Sequence, residues 1–152
     1  MNGVPQILIV EDEALVRRIV ARHLRRKGFD AHEAGSLADA GALLERLRFD
    51  VLILDRMLPD GDGLDLLHGD LAARTLVISA NPQPLRLRAA GVSDYLTKPF
   101  DLDALSARVA ALAGVPGSNG APAPERRSRQ ANHTAQAPAS QGIQLPSLTY
   151  KV

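Results

Sequence analysis

Groups that could bind a metal ion or react with phosphorus stand at the ends of short apolar runs. Glu11 and Asp12 follow the first run, and Asp55 follows a run over residues 51–54. Ser79 follows a third run, and Lys98 follows a weaker one. If each run is a strand of one parallel sheet, these groups converge at its carboxyl edge. The spacing therefore predicts a shared site of carboxylates, a hydroxyl and an ammonium group.

This predicted cluster has the composition of a divalent-metal site with a reactive carboxylate. Asp12 and Asp55 would repel each other at close range unless a cation lay between them or their pKa values rose. An all-oxygen ligand set with open positions favours Mg²⁺ over zinc. A carboxylate beside such a cation can act as a nucleophile toward phosphorus and form an acyl phosphate. Lys98 and Ser79 are groups of the right type to neutralise or bind the transferring oxygens.

The elements that must position these groups alternate between strands and helices. The apolar runs at 7–10, 51–54 and 76–78 are continuous, which is typical of strands covered on both faces, and weaker strands are predicted over 29–33 and 94–97. Helical spacing predicts helices over 14–27, after a cap at Ser36, over 63–73 and over 102–113. Two prolines between Ser79 and Gly91 leave room only for a short or irregular fourth helix. The alternation predicts an α/β fold with a doubly wound parallel sheet and helices on both faces.

Composition narrows the class of protein. The chain has 152 residues, 45% of them apolar, a formal net charge of +1 and no cysteine. The absence of cysteine excludes disulfides, thiolate metal sites and a cysteine nucleophile, and the scattered charge gives no case for nucleic acid. No signal peptide or membrane-spanning run is apparent, so we expect a cytoplasmic protein without membrane insertion. Residues 1–113 are predicted to form the domain and residues 114–152 a flexible tail rich in Pro, Ala, Gln and Ser.

Four stretches of the sequence resemble the receiver domain of bacterial two-component response regulators. The matching stretches are Ile-Leu-Ile-Val-Glu-Asp-Glu at 7–13, Asp-Arg-Met-Leu-Pro-Asp-Gly-Asp-Gly at 55–63, Ser-Ala at 79–80, and Gly-Val-Ser-Asp-Tyr-Leu-Thr-Lys-Pro-Phe at 91–100. They occur in the family's order and at nearly its spacing. The resemblance implies a flavodoxin-like fold with five strands in the order 2-1-3-4-5.

The resemblance also implies roles for single residues around Mg²⁺. Asp55 would accept a phosphoryl group from a histidine kinase or a histidine phosphotransfer protein. Asp12, Asp55 and the backbone carbonyl of Met57 would ligate the ion, and Glu11 would act mainly through water. The implied protein catalyses only its own phosphotransfer and dephosphorylation, and is otherwise not an enzyme.

Further implied roles concern the response to phosphorylation. Ser79 would bind a phosphoryl oxygen, Lys98 would pair with it, and Tyr95 would fill the space that Ser79 vacates. The bond between Lys98 and Pro99 would be cis. We expect a stand-alone receiver, with no DNA-binding or other output domain after Gly114, that switches contacts with a downstream protein target.

Departures from the family pattern leave two alternatives open. The 79–91 interval is about two residues short, which allows a phosphorylation-independent binding module on a receiver scaffold. An aspartate-dependent phosphohydrolase would use the same Asp55 and Mg²⁺, but such enzymes usually carry a second acid where Met57 stands.

Arg56 is larger and more charged than the common choice, and we expect it to face the surface. An alternative for Arg56 is an effect on the lifetime of the phosphoryl group.

Overall fold

The computed structural model describes residues 3–115. The strands are β1 (Gln6–Val10), β2 (Asp30–Ala34), β3 (Val51–Asp55), β4 (Met57–Leu58), β5 (Gly61–Asp62), β6 (Thr75–Ser79) and β7 (Asp94–Thr97). Five of them form a parallel sheet in the order β2-β1-β3-β6-β7. Because β4 and β5 form a separate small antiparallel hairpin, this order is the predicted 2-1-3-4-5. The predicted fold class is confirmed.

The helices are α1 (Ala14–Arg26), α2 (Leu37–Arg46), α3 (Pro84–Ala89) and α4 (Leu102–Ala113). Successive side chains of a strand point to opposite faces of the sheet, so a continuous apolar run supplies side chains to a core on each face. Ile7 and Ile9 of β1 pack in one core with α1 and α4, whereas Leu8 and Val10 pack in a second core with α2. All four side chains are fully buried. Each such side chain contributes roughly 1.5–3 kcal/mol of transfer free energy, which fixes the strands that carry the candidate site.

Local signals set the helix ends. The Ser36 hydroxyl caps α2 by accepting a hydrogen bond from the backbone N–H of Asp39 at 3.1 Å. The Asp60 carboxylate accepts two more from the first turn of the same helix, which ties the loop after β4 to α2. At the other end of the domain, Gly114 adopts a left-handed conformation (φ 74°) and ends α4.

The prediction of a helix over residues 63–73 is wrong. In its place lie two 3₁₀ helices, Gly63–Leu66 and Gly69–Arg74. Gly69 has a φ of +61°, which a continuous α-helix does not allow. Gly63 packs so closely on β3 that an added Cβ would lie 2.5 Å from the Asp55 carbonyl oxygen. The backbone at Gly63 therefore lies directly against the end of β3, where there is no room for a larger residue.

The short fourth helix is confirmed, since α3 has only six residues. Pro84 is its first residue, and Gln83 before it is the one residue other than glycine with a positive φ within 3–115. Predicted residues 116–152 of the tail lie outside the described residues. No helix between residues 3 and 115 has the length and apolarity that crossing a membrane requires.

Candidate functional site

The predicted site residues meet at the carboxyl edge of the sheet. Asp55 is the last residue of β3 and Ser79 the last of β6, while Glu11 follows β1 directly. Lys98 follows β7, and its backbone N–H donates to the carbonyl oxygen of Ser79 at 2.9 Å. The parallel sheet therefore brings two carboxylates, a hydroxyl and an ammonium group to one edge.

Lys98 joins two carboxylates from different strands. Its Nζ lies 2.9 Å from Glu11 Oε1 and 3.2 Å from Asp55 Oδ2. The side chains of Glu11, Asp55 and Lys98 are 1%, 7% and 12% exposed. A buried ammonium between two buried carboxylates balances part of their charge and fixes their positions. The peptide bond between Lys98 and Pro99 is cis.

Burial and charge change the acidity of this trio. The pKa of Glu11 is raised to about 7, mainly by burial and also by the nearby charge of Asp55, and the hydrogen bond from Lys98 only partly opposes this rise. For Lys98, burial alone would lower the pKa, but the hydrogen bond to Glu11 and the two negative charges outweigh it and raise the pKa. One ammonium is therefore shared between two acids, and the site has an affinity for additional positive charge.

The acidic residues are arranged to supply that charge from a metal ion. Glu11, Asp12 and Asp55 each offer one carboxylate oxygen, and these oxygens lie within 4.8 Å of one another. Asp12 is exposed, so one side of the cluster is open to solvent. Three hard oxygen donors with open positions suit Mg²⁺, which keeps several waters when bound. The predicted contribution of the Met57 carbonyl stays a prediction; the Met57 N–H donates to Asp55 Oδ1 at 3.2 Å.

A cleft of about 460 Å³ opens beside Asp55, and the predicted Ser79 and Lys98 line it together with Ala80. The Ser79 hydroxyl accepts a hydrogen bond from the backbone N–H of Asn81 at 3.0 Å. Tyr95 is half-buried and packs against a small apolar cluster that includes Val77 and Leu87. Its predicted movement on phosphorylation stays a prediction.

The expectation that Arg56 faces the surface is wrong. The residue is 9% exposed, and its guanidinium forms an ion pair with Asp62 of β5. Hydrogen bonding to Asp62 raises the pKa of Arg56, and the same bond lowers the pKa of Asp62. The sequence signal was an acidic residue six positions later, but its significance depends on the hairpin, which was not predicted.

Comparison with known proteins agrees with this geometry. A family model described as the response regulator receiver domain matches residues 7–110. This chain belongs to the response regulator receiver family. The receiver domain of Francisella response regulator 1452 is 27% identical, with a TM-score of 0.67 over 72% of this chain and 97% of that one. A second receiver domain, DrrB, solved in a BeF3-activated form, is 25% identical, with a TM-score of 0.64 over 74% of this chain and 99% of that one.

Curated relatives of this receiver chain are longer proteins. The transcriptional regulatory protein TrcR of Mycobacterium tuberculosis is 36% identical over 119 residues, which are 73% of this chain and 46% of TrcR. The chain spans about half the length of the curated relatives it matches. The likeness therefore concerns the receiver domain, and the other half of those proteins has no counterpart in the comparison.

Proposed function

We propose that this receiver accepts a phosphoryl group on Asp55 from a phosphohistidine of a histidine kinase or a phosphotransfer protein. The observation that carries the proposal is the contact of Lys98 with Asp55 inside an acidic cluster that opens onto the Ser79 cleft. These residues come from four separate parts of the chain, and they meet at one edge of the parallel sheet.

The proposed reaction moves one phosphoryl group between two residues. An oxygen of the Asp55 carboxylate forms a bond to phosphorus while the nitrogen–phosphorus bond of the phosphohistidine breaks, and the imidazole nitrogen keeps that electron pair. The products are an acyl phosphate and a free histidine, so no oxidant or further reactant is needed. Little covalent work falls on the protein, because phosphoryl transfer depends mainly on positioning and charge stabilisation.

Each neighbouring group has a task in this transfer. Lys98 holds the Asp55 oxygen in place and neutralises charge on the transferring group, and the Ser79 hydroxyl is placed to bond a phosphoryl oxygen. Glu11, Asp12 and Asp55 would hold Mg²⁺, which supplies positive charge against the phosphoryl oxygens. We further propose that phosphorylation changes contacts with a downstream protein. The added charge of close to −2 would attract the Lys98 ammonium and the Ser79 hydroxyl and so move both side chains.

Incubation of the protein with acetyl phosphate and Mg²⁺, followed by intact mass measurement, tests the proposal. The wild type should gain the mass of one phosphoryl group, and Asp55→Asn should gain none. Asp65→Asn is a matched control, because Asp65 is an exposed aspartate ten residues away. If the wild type gains no mass and Asp55→Asn behaves identically, the phosphoacceptor role is refuted and a phosphorylation-independent binding module becomes the better interpretation.

A further inference from the structure

The guanidinium of Arg56 uses its donors on two different parts of the chain. Nε and Nη2 donate to the two carboxylate oxygens of Asp62, at 3.2 and 2.5 Å. Nη1 donates to the side-chain oxygen Oε1 of Gln83 at 3.2 Å. The paired, charge-assisted bonds to Asp62 anchor the guanidinium, whereas the single bond to Gln83 ends on a neutral amide and is the weaker contact.

The contact with Gln83 reaches the start of α3. Gln83 has a φ of 51°, a left-handed conformation that a residue with a side chain seldom adopts without support. Its carbonyl oxygen accepts the backbone N–H groups of Arg86 and Leu87, which form the first turn of α3. Through this contact the first turn of the short helix is linked to Arg56, which directly follows the proposed phosphoacceptor Asp55.

The same guanidinium borders the site of phosphorylation. Arg56 and Gln83 line the cleft beside Asp55 together with Ser79 and Lys98. Phosphorylation of Asp55 would bring close to two negative charges and three strong acceptor oxygens into this cleft. A guanidinium donor bonds more strongly to such oxygens than to a neutral amide. Nη1 can make this change while Asp62 still holds Nε and Nη2, so the side chain need not leave its buried position.

We propose that Arg56 is an additional phosphoryl-binding residue of this receiver, and that its Nη1 donor moves from Gln83 to the phosphoryl group and releases the start of α3. The inference rests on the proposed function, because it requires a phosphoryl group on Asp55. Under this proposal, the contact between Arg56 and Gln83 connects the short helix α3 directly to the site of phosphorylation.

Amide hydrogen exchange at Arg86 and Leu87 tests the inference, with beryllofluoride and Mg²⁺ as the phosphoryl mimic. In the wild type the mimic should speed exchange of these amides roughly fivefold, which is the effect of losing one neutral hydrogen bond. In Gln83→Leu, exchange should already be fast without the mimic and should rise little when it is added. In Gln83→Glu, a charged acceptor replaces the amide, so exchange should be slow and the response to the mimic smaller than in the wild type.

Arg88→Met is the matched control, because it removes an exposed guanidinium from the same helix and should keep the wild-type response. Gln83 is exposed, so its variants should fold, and circular dichroism checks this. Fluorine NMR of bound fluoride separates the two levels of the argument. Bound fluoride together with a wild-type response in Gln83→Leu overturns the inference alone. Absence of bound fluoride in the wild type overturns the proposed function and this inference with it.

Discussion

Magnesium affinity should depend strongly on pH because of Glu11. Its carboxyl has a pKa of about 7 in the folded protein, so about nine-tenths of it is protonated at pH 6 and about one-tenth at pH 8. A metal ion binds the deprotonated carboxylate and must compete with that proton. The apparent dissociation constant for Mg²⁺ should therefore be about tenfold weaker at pH 6 than at pH 8.

The same group links pH to folding in the absence of metal. The pKa of Glu11 is raised from 4.5 to about 7, so the folded protein binds this proton more tightly than the unfolded chain does. The contribution of this proton to the free energy of unfolding is about 3 kcal/mol. It is fully present below about pH 4.5 and is lost as the pH rises to about 7. Mg²⁺ should restore part of this loss above pH 7, where the carboxylate is free to bind it.

Thermal unfolding followed by circular dichroism measures both effects when MgCl₂ is titrated at constant ionic strength and fixed pH. The stabilisation follows the ratio of free Mg²⁺ to its dissociation constant. Glu11→Gln should lose most of the pH dependence of Mg²⁺ binding, whereas Glu13→Gln, at an exposed acid two residues away, should keep it. Equal Mg²⁺ affinity at pH 6 and pH 8 in the wild type, or a full tenfold change in Glu11→Gln, would refute the reasoning.

Two further substitutions test the conformational response to phosphorylation and the stability of the fold. Lys98→Ala should still incorporate phosphate but should show a weaker conformational response, measured as backbone chemical-shift changes with beryllofluoride; an unchanged response would remove Lys98 from the switch. Gly63→Ala should lower the free energy of unfolding by roughly 1–3 kcal/mol, because the new Cβ would meet the Asp55 carbonyl oxygen at 2.5 Å. Gly41→Ala in α2 is its control, since nothing lies within 4 Å of a Cβ there, and it should be neutral or stabilising in urea denaturation.

The sheet and the position of the site could be predicted from the sequence because both depend on local pattern. A continuous apolar run such as residues 51–54 specifies a strand buried on both faces, and the polar residue that ends it, Asp55, must lie at the carboxyl edge. The second strand was predicted one residue early, since Asp30–Ala34 lacks a strong apolar run. The roles of Ser79 and Tyr95 in switching came from the family resemblance and stay predictions.

The features that sequence reasoning missed depend on contacts between separate segments. Gly63 was included in a predicted helix because leucines follow it at helical spacing, but its place is set by the backbone of β3 against which it packs. Asp62 lies only six residues after Arg56, but the burial of Arg56 depends on the β4–β5 hairpin that brings the two side chains together. The other partner of Arg56, Gln83, is 27 residues away, on a loop whose path depends on two prolines and a left-handed residue.

The site therefore combines two kinds of support, and they should respond differently to change. Glu11 and Asp55 stand at or next to the ends of buried strands, and Lys98 follows the half-buried edge strand β7. The two apolar cores therefore hold the geometry of the two carboxylates and compensate for the unfavourable burial of Glu11. Arg56 is instead anchored to Asp62 of the small β4–β5 hairpin, and a single weaker hydrogen bond links it to Gln83 in the loop before α3. If Asp55 accepts a phosphoryl group as proposed, changes in the 80–90 segment should alter the conformational response while they leave the incorporation of phosphate intact.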